Sequence, residues 1–133
     1  MSEQENTEIV RSAYRNFQTG DITALLNQLT EDVNWRLADI ERVPFSGQRR
    51  GPAEVGQFFA TLAEAQDVLK FEPQTFVAQG EKVVALGQYQ WRVKATGREY
   101  GGDWAHVFTV RDGKIAGFHE FMDTASATNA YQQ

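Results

Sequence analysis

Residues 98–123 read REYGGDWAHVFTVRDGKIAGFHEFMD. On either side of Asp112-Gly113, aromatic and β-branched residues crowd two runs that lack helical spacing. Asp-Gly is a strong signal for a two-residue hairpin turn. Two long strands are therefore expected, Arg98 to Arg111 and Lys114 to Asp123. Upstream, Val68 to Ala78 and Lys82 to Thr96 have the same character, with breaks at Gln79-Gly80-Glu81 and Thr96-Gly97. Consecutive hairpins of this kind make an antiparallel meander.

The first half of the chain has a different period. After Asn6, a good N-cap residue, Ile9, Val10, Ala13, Tyr14 and Phe17 recur at the spacing of an amphipathic helix that ends at Gly20. Asp21 or Thr23 caps a shorter helix through Leu25, Leu26 and Leu29. Val33 to Leu37 alternates as a short strand, and Ala38 to Gly51, with Pro44, Gly47 and two arginines near its end, reads as a loop. Pro52 suits the first turn of a third helix, whose buried face is Val55, Phe58, Phe59, Leu62 and Ala63. Asp123 is placed to cap a terminal helix over Thr124 to Tyr131. Helices followed by strands imply an α+β domain spanning residues 1–133. A curled sheet closed by helices makes a cone with one open end, a natural site for a small apolar molecule.

Composition narrows the function classes. The 133 residues hold no cysteine, which excludes disulfides, thiolate metal sites and cysteine nucleophiles. A net charge of −5, with Arg49-Arg50 as the nearest thing to a basic patch, argues against a nucleic-acid partner. No apolar run approaches the roughly 20 residues that cross a bilayer. The acidic, polar stretch Met1 to Glu8 is not a signal peptide, so a cytoplasmic protein without a membrane partner is expected. No GxGxxG, P-loop or GxSxG motif occurs.

The order helix, helix, strand, loop, helix and four long strands resembles the NTF2-like superfamily. The likeness is sharpest at Trp104 to Ile115 and at Glu120-Phe121-Met122-Asp123-Thr124-Ala125, which are similar to the SnoaL-like, ketosteroid-isomerase-related branch. Gly20-Asp21, Thr30-Glu31-Asp32-Val33, Phe45-Ser46-Gly47 and Arg50-Gly51-Pro52 extend it over nearly the whole chain. The resemblance implies an NTF2-like cone: helices packed on a curved antiparallel sheet, dimerising through the outer face of that sheet.

Steroid isomerases of this superfamily use a carboxylate base with a tyrosine and a protonated aspartate as oxyanion donors. The resemblance puts the base near Leu37, with the carboxylate of Asp39 two residues on. It puts the neutral acid at Ala105 and the tyrosine at Ala13, one residue before Tyr14. Ketosteroid isomerase activity proper is therefore not expected. In SnoaL-type polyketide cyclases an acidic residue of the last strand acts as acid/base beside a histidine. The resemblance implies Glu120 and His106 as counterparts, with Asp123 a rival.

Counting back from a two-residue turn at Asp112-Gly113 pairs Ala105 with Glu120 and His106 with His119. Alternation then puts Asp103, Ala105, Val107, Phe118, Glu120 and Met122 on one sheet face, and Trp104, His106, Phe108, His119 and Phe121 on the other. A bulge would flip part of this assignment. Alternation does not say which face lines the pocket; the resemblance, which puts a pocket acid at Ala105, implies the first. The expected catalytic residues are Glu120, Asp103 and His106. Tyr14, Trp35, Ala105, Val107, Phe118 and Met122 are the expected substrate contacts. His106 and His119 lack a third ligand, so neither a metal nor another cofactor is expected.

The expected function is cofactor-free acid/base chemistry on a small, largely apolar carbonyl compound: isomerisation, cyclisation or dehydration. The alternative is a non-catalytic small-molecule-binding or accessory protein. The Asp-Arg-Asp set of small epoxide hydrolases finds only loose counterparts in Arg92, Asp103 and Asp123.

Overall fold

The structure is a computed structural model describing residues 2–133. Helix α1 runs Glu3–Gln18, α2 Ile22–Leu26, α3 Gly51–Ala65 and α4 Thr124–Tyr131. Strands are β1 Leu29–Arg36, β2 Gln48–Arg50, β3 Gln66–Gln79, β4 Lys82–Val93, β5 Glu99–Arg111 and β6 Lys114–Phe121. They form one open sheet in the order β2-β1-β6-β5-β4-β3. Strands β3 to β6 are the expected antiparallel meander, but β1 joins β6 in parallel, so the sheet is mixed. The short strand β2, within the expected loop, pairs with β1 at the far edge.

The helix starts follow local hydrogen bonding. α1 begins before Asn6, because Ser2 and Glu5 form a capping box: Glu5 N donates to Ser2 Oγ, and Ser2 N to Glu5 Oε1, each at 3.0 Å. Asn6 is instead buried inside α1, and its amide donates to Gly80 O in the β3–β4 turn. Asp21 caps α2 through Ala24 N, and Asp123 caps α4 through Ser126 N, as the sequence suggests.

The hairpin between β5 and β6 turns as expected, with Arg111 opposite Lys114. Asp112 and Gly113 both have positive φ, 51° and 82°, the requirement of a type I′ turn. Two residues later the ladder slips. Val110 pairs with Ile115 and Thr109 with Gly117, so Ala116 is an extra residue in β6. Ile115 and Ala116 are both buried, one after the other, as the local break in alternation requires. Beyond the bulge, His106 faces Glu120, Val107 faces His119 and Ala105 faces Phe121.

This one-residue slip corrects the expected faces. Trp104, His106 and Phe108 share the inner face with Phe118 and Glu120. Asp103, Ala105 and Val107 share the outer face with His119 and Phe121. The expected outer pair of His106 and His119 is thereby split across the sheet.

The inner face packs on α1 and α3 through aromatic side chains. Trp35 stacks on Phe118 at 4.0 Å and Trp104 on His106 at 4.1 Å. Such pairs contribute roughly 0.5–1.5 kcal/mol beyond the area they bury. Gly87 on β4 makes room for Trp104, since a Cβ there would overlap the indole and the carbonyl of Glu72. Gly87→Ala should cost about 2 kcal/mol of stability by overpacking, read as a lower urea midpoint at unchanged slope. An unchanged midpoint would mean that Trp104 can move aside freely.

Candidate functional site

Between the inner face of the sheet and the helices lies a cavity of about 90 Å³. Its wall is almost wholly apolar, built from α1 (Ala13, Tyr14, Phe17), α3 (Phe58, Phe59, Leu62), β1 (Trp35), the β1–β2 loop and the inward residues of β5 and β6. No Lys or Arg lines it.

One polar chain crosses this wall. The Tyr14 hydroxyl lies 2.7 Å from His106 Nδ1, and His106 Nε2 lies 2.9 Å from Glu120 Oε2. Tyr14 and His106 are buried, while the Glu120 side chain keeps 25% of its surface exposed. Burial, and secondarily the charge of Glu120, hold the Tyr14 phenol far above the ordinary tyrosine range. Tyr14 therefore remains a hydrogen donor. With neutral histidine it donates to Nδ1, which leaves the ring proton on Nε2 to be donated to Glu120. Glu120 Oε1 accepts from no described group.

Secondary structure explains how the three meet. Tyr14 stands on the inner stripe of α1, on the turn after Val10. His106 and Glu120 are directly opposed on adjacent antiparallel strands, on one face because of the Ala116 bulge. Trp104 backs the imidazole, and Phe118 flanks it at 4.7 Å.

Of the expected residues, Glu120, His106, Tyr14, Trp35, Phe118 and Met122 line the cavity. Asp103, Ala105 and Val107 do not, since the slipped register turns them outwards. Asp103 is exposed and accepts from Gln88 Nε2 at 3.3 Å. Asp39 is exposed as well. Asp123 is occupied with the cap of α4, whose two hydrogen bonds from Ser126 hold its carboxyl below the usual range. Arg92, Asp103 and Asp123 do not assemble at the cavity; Arg92 pairs instead with Asp67 at 3.6 Å. Arg49 ties the β1–β2 loop together, donating to Phe45 O at 2.6 Å and Ser46 O at 2.8 Å while covering the Phe58 ring. Among the described residues, no group of three or more His, Asp or Glu side chains is arranged to hold a metal.

Several wall residues escaped the sequence reading. Ile40, Val43 and Phe45 belong to the stretch that reads as an ordinary loop, and Leu37 ends the expected first strand. Their apolar character in so polar a stretch was the available signal. Gln66 and Tyr100 stand at another part of the wall, where Gln66 Oε1 accepts from the hydroxyls of Tyr100 and Tyr131, each at 2.7 Å. Nothing in the sequence distinguishes Gln66 from a surface glutamine.

A family model described as a SnoaL-like domain matches residues 10–118. No curated protein matches the chain. Among solved structures, an NTF2-like protein from Burkholderia xenovorans LB400 is 34% identical over 99% of both chains, with a TM-score of 0.91. TerC, co-crystallised with polyporic acid, is 24% identical over 97% of this chain and 99% of its own, with a TM-score of 0.86. A Xanthomonas campestris pv. campestris protein, provisionally described as a polyketide cyclase, is 21% identical over 98% of both chains, with a TM-score of 0.80. The last two likenesses show a common fold.

Burial raises the phenol of every tyrosine in the chain. Tyr89 is pushed up to about 12, and Tyr14, Tyr100 and Tyr131 go further in the same direction. An unfolded tyrosine ionises near pH 10. Above that pH the unfolded chain binds fewer protons than the folded one, so stability is complete below about pH 10 and falls as pH rises towards about 12. Tyrosinate absorbance should therefore rise together with loss of circular dichroism. A phenol that titrates near pH 10 in the folded protein would contradict its burial.

Proposed function

The chain belongs to the SnoaL-like family, and we propose from that premise that it catalyses proton transfer at carbon on a small, largely apolar carbonyl compound. The observation that carries this reading is the Glu120 carboxylate, held at 2.9 Å by a buried histidine in the wall of an apolar cavity. Glu120 Oε1 takes a proton from the carbon next to a carbonyl, and the electron pair passes to the carbonyl oxygen as an enolate. Returning the proton to a different carbon gives isomerisation. Attack of the enolate carbon on a second carbonyl, whose alkoxide takes the proton back from Glu120, gives cyclisation, and expulsion of a β-hydroxyl that takes that proton as it leaves as water gives dehydration. No cofactor enters these steps. His106 orients the carboxylate through Oε2, and Tyr14 fixes the histidine tautomer, so Tyr14 is a positioning residue. The apolar wall favours an uncharged, flat substrate. The provisional cyclase description of one fold relative, and the polyporic acid present with another, are compatible with an aromatic or polycyclic one.

The outer sheet face supports a second part of the proposal, a homodimer. Thr75, Leu86, Ala105 and Phe121 form one cross-strand row, and Val77, Val84, Val107 and His119 the next. Val77, Leu86 and Phe121 are 57%, 41% and 50% exposed. Leu86→Lys should then convert a dimer into a monomer in sedimentation; a wild-type monomer at micromolar concentration would end this part of the reading. No described helix is long and apolar enough to cross a membrane.

The catalytic reading is tested by thermal melting against aromatic polyketides, steroids, terpenoid epoxides and small keto acids, followed by turnover of the compound that stabilises. A ligand at 100 times its dissociation constant adds about 2.7 kcal/mol. Glu120→Gln should bind that compound and melt normally, yet lose roughly 100-fold or more in kcat. Tyr14→Phe should lose less, with an altered pH profile. A ligand recovered unchanged from the wild-type protein would instead identify a carrier.

A further inference from the structure

The cavity has a second polar feature that the proton-transfer chain does not use. Gln66, the first residue of β3, is only 5% exposed and lines the cavity. Its Oε1 accepts two tyrosine hydroxyls at 2.7 Å, the separation typical of O–H···O rather than N–H···O bonds. That contact length and the two hydroxyl donors orient the amide with its oxygen towards Tyr100 and Tyr131. The amide nitrogen is left with two hydrogens and no acceptor among the described residues. The nitrogen is not among the fully enclosed side-chain atoms that lack a partner, so it keeps an accessible side along which a ligand oxygen can approach in place of water.

The position of Gln66 defines a direction across the cavity. Tyr100 and His106 lie on the same face of β5, six residues apart, or roughly 20 Å of regular strand. Gly102, at a φ of 148°, interrupts the regular extension between them. Gln66, Tyr100 and Tyr131 thus form one polar pole of the wall and Tyr14, His106 and Glu120 the other, near enough that the charge of Glu120 contributes to raising the Tyr100 phenol. No Lys or Arg lines the wall, so an anionic group at the Gln66 pole would meet no countercharge and would face the carboxylate of Glu120.

We infer that Gln66 Nε2 anchors the substrate through an uncharged oxygen acceptor, a ketone, quinone or ether oxygen other than the group that faces Glu120. This rests on the reading of the cavity as the substrate site. It makes the substrate a neutral molecule with a second oxygen besides the carbonyl next to the reacting carbon, and Gln66 the residue that helps set its orientation.

The test uses 9-fluorenone and fluorene, flat neutral probes of nearly equal shape that differ in one carbonyl oxygen. Binding is read from quenching of tryptophan fluorescence, since Trp35 and Trp91 line the cavity. The wild-type protein should bind fluorenone roughly three- to tenfold more tightly than fluorene, the effect of one hydrogen bond. Gln66→Leu should bind fluorene as the wild type does and lose the preference. Because that variant strips Tyr100 and Tyr131 of their acceptor and can fail to fold, Gln66→Glu at pH 8 is the second arm: its carboxylate still accepts both hydroxyls but offers no N–H. Glu120→Gln should keep the preference. A preference that survives in a folded Gln66 variant, that vanishes in Glu120→Gln, or that the wild type never shows overturns the assignment of Gln66 while leaving the proton-transfer reading standing. Failure of the wild type to bind either probe overturns the inference together with the view that this cavity takes flat neutral molecules.

Discussion

The single residue Ala116, inserted into β6 opposite the Val110–Thr109 step of β5, decides which side chains meet inside this protein. Side chains on a strand alternate with a period of two, so one extra residue exchanges the faces of everything beyond it relative to the neighbouring strand. Without the bulge, Glu120 would face Ala105 and His106 would face His119. With it, Glu120 and His106 are directly opposed on the inner face, and Phe118 sits beneath Trp35. The polar chain of the cavity, the aromatic stack behind it and the apolar outer face all depend on that slip.

The cavity illustrates how few polar groups an apolar wall needs to acquire direction. Tyr14, His106 and Glu120 are linked in one sequence of donors and acceptors, each bond setting the proton position of the next. Burial keeps the phenol protonated, so Tyr14 is able to donate to Nδ1 of an imidazole whose other nitrogen faces Glu120. Gln66, held by two tyrosine hydroxyls, offers the reverse polarity elsewhere on the wall. A low-polarity surrounding strengthens each of these bonds and penalises any group left unpaired.

Membership of the SnoaL-like family accounts for the scaffold, and the fold is known to carry unrelated chemistries. The isomerase pattern is incomplete here: the position the resemblance gives to the neutral acid is Ala105, and that residue lies on the outer face. Glu120 and His106 form a different pair on the same two strands.

Much of the architecture could be read from local signals. Asp112-Gly113 favours a type I′ turn where it joins two strands, Asp21 and Asp123 cap the helices that follow them, and the four long strands announce themselves by composition. Such features depend on hydrogen bonds and backbone preferences within a few residues, and so they are carried by short stretches of sequence. The capping box at Ser2 is equally local, and Asn6 competes with it as a signal because both residue types cap helices. Tyr14, Glu120 and His106 could be singled out as residue types with the right chemistry, but their meeting could not. Nor could the parallel docking of β1 on β6, the apolar loop that closes the cavity, or the inward turn of Gln66. These depend on which residues oppose one another across strands distant in sequence. That choice was made by the packing of Trp35, Phe118, Trp104 and Phe108 against the helices, which stabilises the bulged register as a whole and leaves no mark at Ala116 itself.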